Sequence, residues 1–207
     1  MSKNIEIESK TLIDQATYEK MRDKFASRSD YNQQNFYFDT PGLDLANNNA
    51  SVRIRIYVDR AEQTLKAKEE KPQQNTYHEV VEINDLLSLA QGEQMVNAAQ
   101  RGEHFSFGGD VEKYLLEHFG KDIANDLELR TWSKTRRIIA PGPDNCDLTL
   151  DMTIYEDGFT DFELEIENDD PQLIKKVLSE LEKQFNFKST PENTNQNKVQ
   201  RAYSHAK

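Results

Sequence analysis

Strict two-residue alternation, with charge on one side and apolar side chains on the other, recurs along this chain and constrains its fold more than any other feature. The first such run is Ile5-Glu6-Ile7-Glu8-Ser9-Lys10. On a β-strand successive side chains point to opposite faces, so Glu6, Glu8 and Lys10 share one side and Ile5 and Ile7 the other. Phe162-Glu163-Leu164-Glu165-Ile166-Glu167 repeats the design with three carboxylates. Between them, Val52-Arg53-Ile54-Arg55-Ile56 aligns two arginines and Thr64-Leu65-Lys66-Ala67-Lys68 aligns two lysines. One such strand alone reads as an antiparallel strand with a wet face. A solubilising face mixes signs, however. Here the sign is sorted by strand, acids on the first and a late strand, bases on the middle ones. The sorting predicts an α+β fold in which the charged strand faces look inward on one another across a barrel.

The chain of 207 residues has room for one domain with a real core, or for two small ones. With 36% hydrophobic and 30% charged residues it reads as globular rather than disordered. A formal net charge of −11 argues against a nucleic-acid partner held by bulk electrostatics. The single cysteine, Cys146, rules out an internal disulfide. The amino terminus enters the first strand with no room for a signal peptide, and no apolar run approaches membrane-spanning length, so a cytoplasmic protein without a membrane partner is expected.

Several elements follow from local signals. Asp14 is placed to cap a helix running to about Ser27, with Tyr18, Met21 and Phe25 on one face. Gln34 to Thr40 reads as a strand closed by Pro41-Gly42. The two basic strands are joined by a hairpin near Asp59-Arg60-Ala61-Glu62, and Thr76 to Ile83 reads as a short strand bearing Glu79 and Glu82. Asn84 to Ala99 is expected to be helical, with Leu86, Leu87, Leu89 and Ala90 on it. Asp110 is expected to cap a second helix burying Val111, Tyr114 and Leu115. Strands resume over Leu127 to Ile139 and Asp147 to Tyr155. Asp170-Pro171 starts a helix carrying Leu173, Val177, Leu178, Leu181 and Phe185. Thr190-Pro191 is expected to open a last helix holding Lys198 and Arg201. With no shift of composition around the middle helices, the reading is a single domain over residues 1–207 with a helical insertion near 84–120.

Glu6, Glu8, Glu163, Glu165 and Glu167 in one narrow interior would raise one another's pKa and repel, and are tolerable only with cations among them. All-oxygen donors select a hard divalent ion, Mg2+ or Mn2+. His78, His104, His118 and His205 are scattered, without zinc-ligand spacing. Lys10, Arg53, Arg55, Lys66 and Lys68 supply a cationic wall suited to phosphate oxygens. Lys134 and Arg136 share a strand face and are read as extending it, with Arg137 pointing outward. Asp151 falls on the polar face of its strand with Asp147 and Thr149. A Walker-type glycine loop is absent from the sequence.

These runs, in this order, resemble the CYTH proteins, also called triphosphate tunnel metalloenzymes. The resemblance rests on Glu6-x-Glu8-x-Lys10, Tyr37-Phe38-Asp39-Thr40, Val52-Arg53-Ile54-Arg55, Leu65-Lys66-Ala67-Lys68, Leu150-Asp151, Glu163-x-Glu165-x-Glu167 and Lys198-x-x-Arg201. It implies an eight-stranded antiparallel β-barrel, or tunnel, with helices packed outside. It also implies hydrolysis of inorganic, thiamine or nucleoside triphosphates with Mg2+ or Mn2+, one branch of the family cyclising ATP instead. By position it makes Glu6, Glu8, Asp151, Glu163, Glu165 and Glu167 the metal-binding residues. Lys10, Arg53, Arg55, Lys66, Lys68, Arg136 and Lys198 become phosphate contacts, to which the strand reading adds Lys134. Lys10, Glu8 and Lys66 are the expected catalytic residues. Tyr77-His78-Glu79 stands where many relatives have an Arg-x-Glu pair, so one basic contact has no counterpart. The expectation is a metal-dependent triphosphatase, monomer or homodimer, acting on a small-molecule triphosphate. The alternatives are a class IV-type adenylyl cyclase and a non-catalytic polyphosphate or nucleotide binder.

Overall fold

The structure, a computed structural model, describes residues 8–68, 80–194 and 196–207. Its strands are β1 (Glu8–Ile13), β2 (Ser29–Asp39), β3 (Ala50–Ile56), β4 (Ala61–Lys68), β5 (Val80–Leu87), β6 (Glu128–Pro141), β7 (Asp147–Tyr155) and β8 (Thr160–Glu167). The helices are α1 (Gln15–Lys24), α2 (Asp44–Asn47), α3 (Leu89–Gln100), α4 (Gly109–His118), α5 (Gly120–Asn125), α6 (Pro171–Phe185) and α7 (Lys198–Ser204). The fold is α+β, and the eight strands join one antiparallel sheet in the order β1-β8-β7-β6-β2-β3-β4-β5. Among the described residues the sheet is open, with β1 and β5 at its ends. No helix among them is long and apolar enough to cross a membrane. The chain forms two compact units, one of residues 33–133 with 206–207, the other of residues 8–32 with 134–205.

In the first unit the alternation read from the sequence separates two faces. Phe36, Phe38, Val52, Ile54, Leu65, Ala67 and Ile83 enter one core with Val96 of α3 and Val111 and Leu115 of α4. Burying each large aliphatic or aromatic side chain stabilises by about 1.5–3 kcal/mol. Gly92, inside α3, lies where an added Cβ would overlap that of Ala61, so the helix meets β4 at a spacing only glycine permits.

The boundary expected at Asn84 is a strand instead. β5 runs to Leu87, pairing Leu86 with Glu62 and Leu87 with Ala61. The helix begins after Ser88, whose hydroxyl accepts from Gln91 N while the Gln91 side chain reaches back, a capping box at Ser88-x-x-Gln91. Leu86 is 83% exposed, on the polar side of the strand, and is no part of a helical stripe. The α4 cap also differs from expectation. Gly108 is the N-cap, Asp110 sits in the first turn, and Tyr114 is only partly buried.

The missing cap is supplied by Asp85 of β5, which accepts from the N–H of Asp110 (3.2 Å) and Val111 (2.9 Å) and from Gln63 Nε2 (2.9 Å). Asp85→Ala is therefore expected to cost about 1–2 kcal/mol, by analogy with loss of an N-cap acid. Leu86→Ser, one residue on, should stay within about 0.5 kcal/mol. Thermal unfolding of both variants checks this; equal effects would refute the capping role.

The second unit repeats the arrangement. Ile13, Leu148, Leu150, Leu164 and Ile166 project into a core closed by Tyr18 and Met21 of α1 and by Ile174, Val177, Leu181 and Phe185 of α6. Asp14 caps α1 through Thr17 N, and Asp170 caps α6 with Pro171 at its first position, both as read from the sequence. Leu173 and Leu178 lie at the border of this core, and Ile174 takes the central place. The last helix starts later than expected. Thr190 to Asn193 is a turn, and Asn197 caps α7 from Lys198.

Candidate functional site

In the second unit, three adjacent strands bring their polar sides together. The β7–β8 register sets Asp151 opposite Glu163 and Thr149 opposite Glu165. The β1–β8 register sets Lys10 opposite Glu165 and Glu8 opposite Glu167. Leu148, Leu150, Leu164 and Ile166 occupy the other side of the same strands, so the carboxylates are fixed by a core that cannot rotate away. Asp151, Glu163 and Glu165 are buried, at 0%, 1% and 3% exposure.

Charges buried to this degree need partners. Arg137 grips Asp151 with two hydrogen bonds, Nε to Oδ1 at 2.9 Å and Nη2 to Oδ2 at 2.6 Å, and its Nη2 reaches Glu165 at 3.1 Å. Lys198 Nζ pairs with Asp151, with Glu163 at 2.8 Å and with Glu165 at 3.6 Å. Lys10 lies 2.6 Å from Glu8 and 3.9 Å from Glu165. Arg201 joins Glu163 (2.6 Å) to Asp161 (2.8 Å), and its Nε donates to the Tyr155 hydroxyl, which itself donates to Asp161.

Burial pushes the Glu165 carboxyl up, but Arg137, Lys198 and Lys10 outweigh it and hold the group well below the usual range. Asp151 is likewise pushed up by burial and held down overall by Lys198 and Arg137. Glu163 moves the other way: burial, with Glu165 close by, outweighs Lys198 and Arg201 and raises it. Lys198 is held well above the ordinary lysine value, burial notwithstanding, by Asp151, Glu163 and Glu165.

The sequence reading placed Lys134 and Arg136 in the site and Arg137 outside it; the structure reverses this. Arg136 makes a two-point pair with Asp30 on an exposed face, Lys134 is exposed on that same side of β6, and Arg137 is the residue among the acids. The signal was in the alternation: Thr131, Ser133, Thr135 and Arg137 form the polar face, with Thr135 bonded to Thr153, while Ile138 and Ala140 lie on the side of Arg136. Arg201, Tyr155 and Asp161 were not singled out as site residues. Glu6, and the Tyr77-His78-Glu79 stretch, lie outside the described residues.

In the first unit the bases are brought together, and with acids of their own. Register sets Arg55 opposite both Asn35 and Glu62, and Arg53 opposite Tyr37 and Thr64. Arg55 donates to Asn35 Oδ1 (2.8 Å), Tyr57 OH (3.2 Å) and Glu62 Oε1 (3.0 Å). Lys66 pairs with Glu82 at 2.6 Å, and Glu82 is held low by Lys66 and Asn84 against the effect of burial. Arg53 is pushed down to about 10, by burial and then by Arg55 beside it, and its buried Nε has no hydrogen-bond partner among the described residues. Lys68 ends β4 in an exposed position. The sorting of charge by strand is thus less complete than the alternation suggested: Glu62 and Glu82 sit among the bases, as Arg137, Lys198 and Arg201 sit among the acids.

Two carboxylate trios have ligand oxygens within 4.8 Å of one another, Glu8–Glu165–Glu167 and Asp151–Glu163–Glu165. Oxygen donors in that number fit a hard divalent cation better than zinc or copper. Glu163 Oε1 adds to the fit: it is buried and ion-paired with Lys198 at 2.8 Å, but accepts no hydrogen bond of good geometry among the described residues.

Fold and site together define an α+β protein whose antiparallel strands hold two acid clusters, one buried and one partly buried, able to take a metal ion. The chain belongs to the CYTH domain family, whose model matches residues 4–203. Among solved structures, a Bacillus halodurans protein provisionally assigned as an adenylate cyclase is 27% identical. The match covers 97% of this chain and 98% of that one, with a TM-score of 0.76. A Hippeastrum protein, provisionally an adenylyl cyclase and described as having a dominant triphosphatase activity, is 22% identical over 97% and 96% of the two chains, with a TM-score of 0.74. No curated protein matches the chain.

Proposed function

We propose that this chain hydrolyses a triphosphate, inorganic tripolyphosphate foremost, with Mg2+ or Mn2+. The observation that carries this reading is the pair of carboxylate trios sharing the buried Glu165 in a chain of the CYTH family. Glu8, Asp151, Glu163, Glu165 and Glu167 offer the oxygens that would hold the cation. When bound, the ion supplies charge to phosphate oxygens and lowers the pKa of water. Glu8, more exposed than Asp151, Glu163 and Glu165, is placed to take the proton of the attacking water, with Lys10 beside it at 2.6 Å. Lys10, next to these acids, would stabilise the charge spread over the transferred phosphoryl group, and the first unit's Arg53, Arg55, Lys66 and Lys68 are candidate contacts for phosphate oxygens. The unpartnered Nε of Arg53 supports such a role, since it leaves a buried donor ready for a phosphate oxygen.

The test is phosphate release from tripolyphosphate with Mg2+ or Mn2+. Glu8→Gln and Lys66→Ala are each expected to lower kcat/KM by about 10²–10³-fold, the range for loss of one charge-stabilising group. Wild-type turnover no faster than these variants rejects the proposal. The likeness to the B. halodurans protein supports a second reading, cyclisation of ATP; cyclic AMP formed from ATP faster than phosphate from tripolyphosphate would select it.

A further inference from the structure

We propose that Lys198 and a divalent cation are alternative occupants of the Asp151–Glu163–Glu165 trio, so that loading a cation there expels the lysine. The ammonium touches all three carboxylates, pairing with Asp151, lying 2.8 Å from Glu163 and 3.6 Å from Glu165. It therefore stands where an ion bound by those oxygens would stand, and Mg2+ accepts ligands only at about 2.0–2.1 Å around a regular octahedron. Two cations cannot share that point.

Of the cationic side chains on the trio, Lys198 is the one built to leave. Arg137 belongs to the long strand β6 and holds Asp151 by a planar two-point fork. Lys198 is the first residue of the seven-residue helix α7 and carries a point charge on a flexible four-carbon stem. Its fit is also incomplete. Glu163 Oε1 is buried and ion-paired with the ammonium at 2.8 Å without a well-aligned hydrogen bond among the described residues, an oxygen that a metal ion can satisfy without any angular demand on a donor hydrogen. Arg201, three residues on, stays paired to Glu163 Oε2 and Asp161, so α7 keeps an anchor while Lys198 swings free. The freed ammonium would then be available to a phosphate oxygen; that last step rests on the triphosphate reading, whereas the exchange itself does not.

Amine-reactive labelling of the wild-type protein, read by mass spectrometry with and without Mn2+ and without substrate, tests the exchange. Labelling of Lys198 should rise several-fold with Mn2+, while Lys176, paired with Asp144 at the surface, should not change. Unchanged or reduced labelling of Lys198 overturns the proposal. Calorimetric titration with Mn2+ gives a second readout: Lys198→Met should bind at least about tenfold tighter than wild type, the scale on which groups next to metal ligands alter affinity. Lys176→Met, with the same change of net charge, should match wild type. Equal or weaker binding by Lys198→Met also overturns it. Tripolyphosphate added with excess Mn2+ should protect Lys198 again; persistent labelling would remove the phosphate step and leave the exchange standing.

Discussion

Glu165→Gln is expected to lower tripolyphosphate turnover by at least about 100-fold, the upper end of what loss of a metal-supporting group costs, and added Mn2+ should not restore it. Glu165 is the one carboxylate common to both trios, so its loss weakens each of them at once. The amide keeps the side chain's shape and removes its charge. Arg137, Lys198 and Lys10, which all point at Glu165, then face one carboxylate fewer. The variant is measured as kcat across a Mn2+ titration. Turnover near wild type at saturating Mn2+ would show that no shared ligand is needed.

Arg137→Met should cost about 3–5 kcal/mol at neutral pH, the usual penalty for leaving buried charges without their partner. In a chain of this size that corresponds to a fall in Tm on the order of 10 °C. Asp151, fully buried, loses its two-point contact, and Glu165 loses its nearest guanidinium. The pH dependence gives the sign. In the wild type Asp151 and Glu165 are held below their ordinary carboxylate values. Their contribution to stability is thus present above those values and is lost as pH falls through the lower, folded ones. Without Arg137, burial is less opposed, so the variant's carboxyls take up protons at higher pH and the penalty is relieved by acid. The difference in Tm between wild type and variant should therefore shrink as pH is lowered from about 7 to about 4. A constant difference, or one that widens in acid, would mean that Arg137 stabilises by packing rather than by charge.

The faces of the strands were legible in the sequence because one face of each is apolar and buried, and a slip of one residue would have inverted it. That is why Glu163, Glu165 and Asp151 could be placed together, along with Lys10 and Glu8. The phase failed where the apolar signal was weak. In β6 the adjacent Arg136 and Arg137 offer either one as the inward residue, and the small polar series Thr131, Ser133, Thr135 carries no charge to mark the inward face. The β5–α3 boundary was lost for a related reason. Leu86 and Leu87 are two apolar residues in succession, compatible with either period, and only the Ser88-x-x-Gln91 capping box separates them from the helix. Pairing partners were less visible still. Glu62 and Glu82 reach Arg55 and Lys66 through strand register, and Arg201 reaches Glu163 and Asp161 from a helix far along the chain; sequence spacing encodes neither.

An anomalous difference map from a crystal of the protein loaded with Mn2+ would test most directly whether the acid cluster is the metal centre. The account predicts a manganese peak bonded to the Glu165 carboxylate, with Glu8 and Glu167 or with Asp151 and Glu163 completing the protein ligands. Crystals that release phosphate from tripolyphosphate while their manganese sits beyond the reach of Glu165 would contradict it.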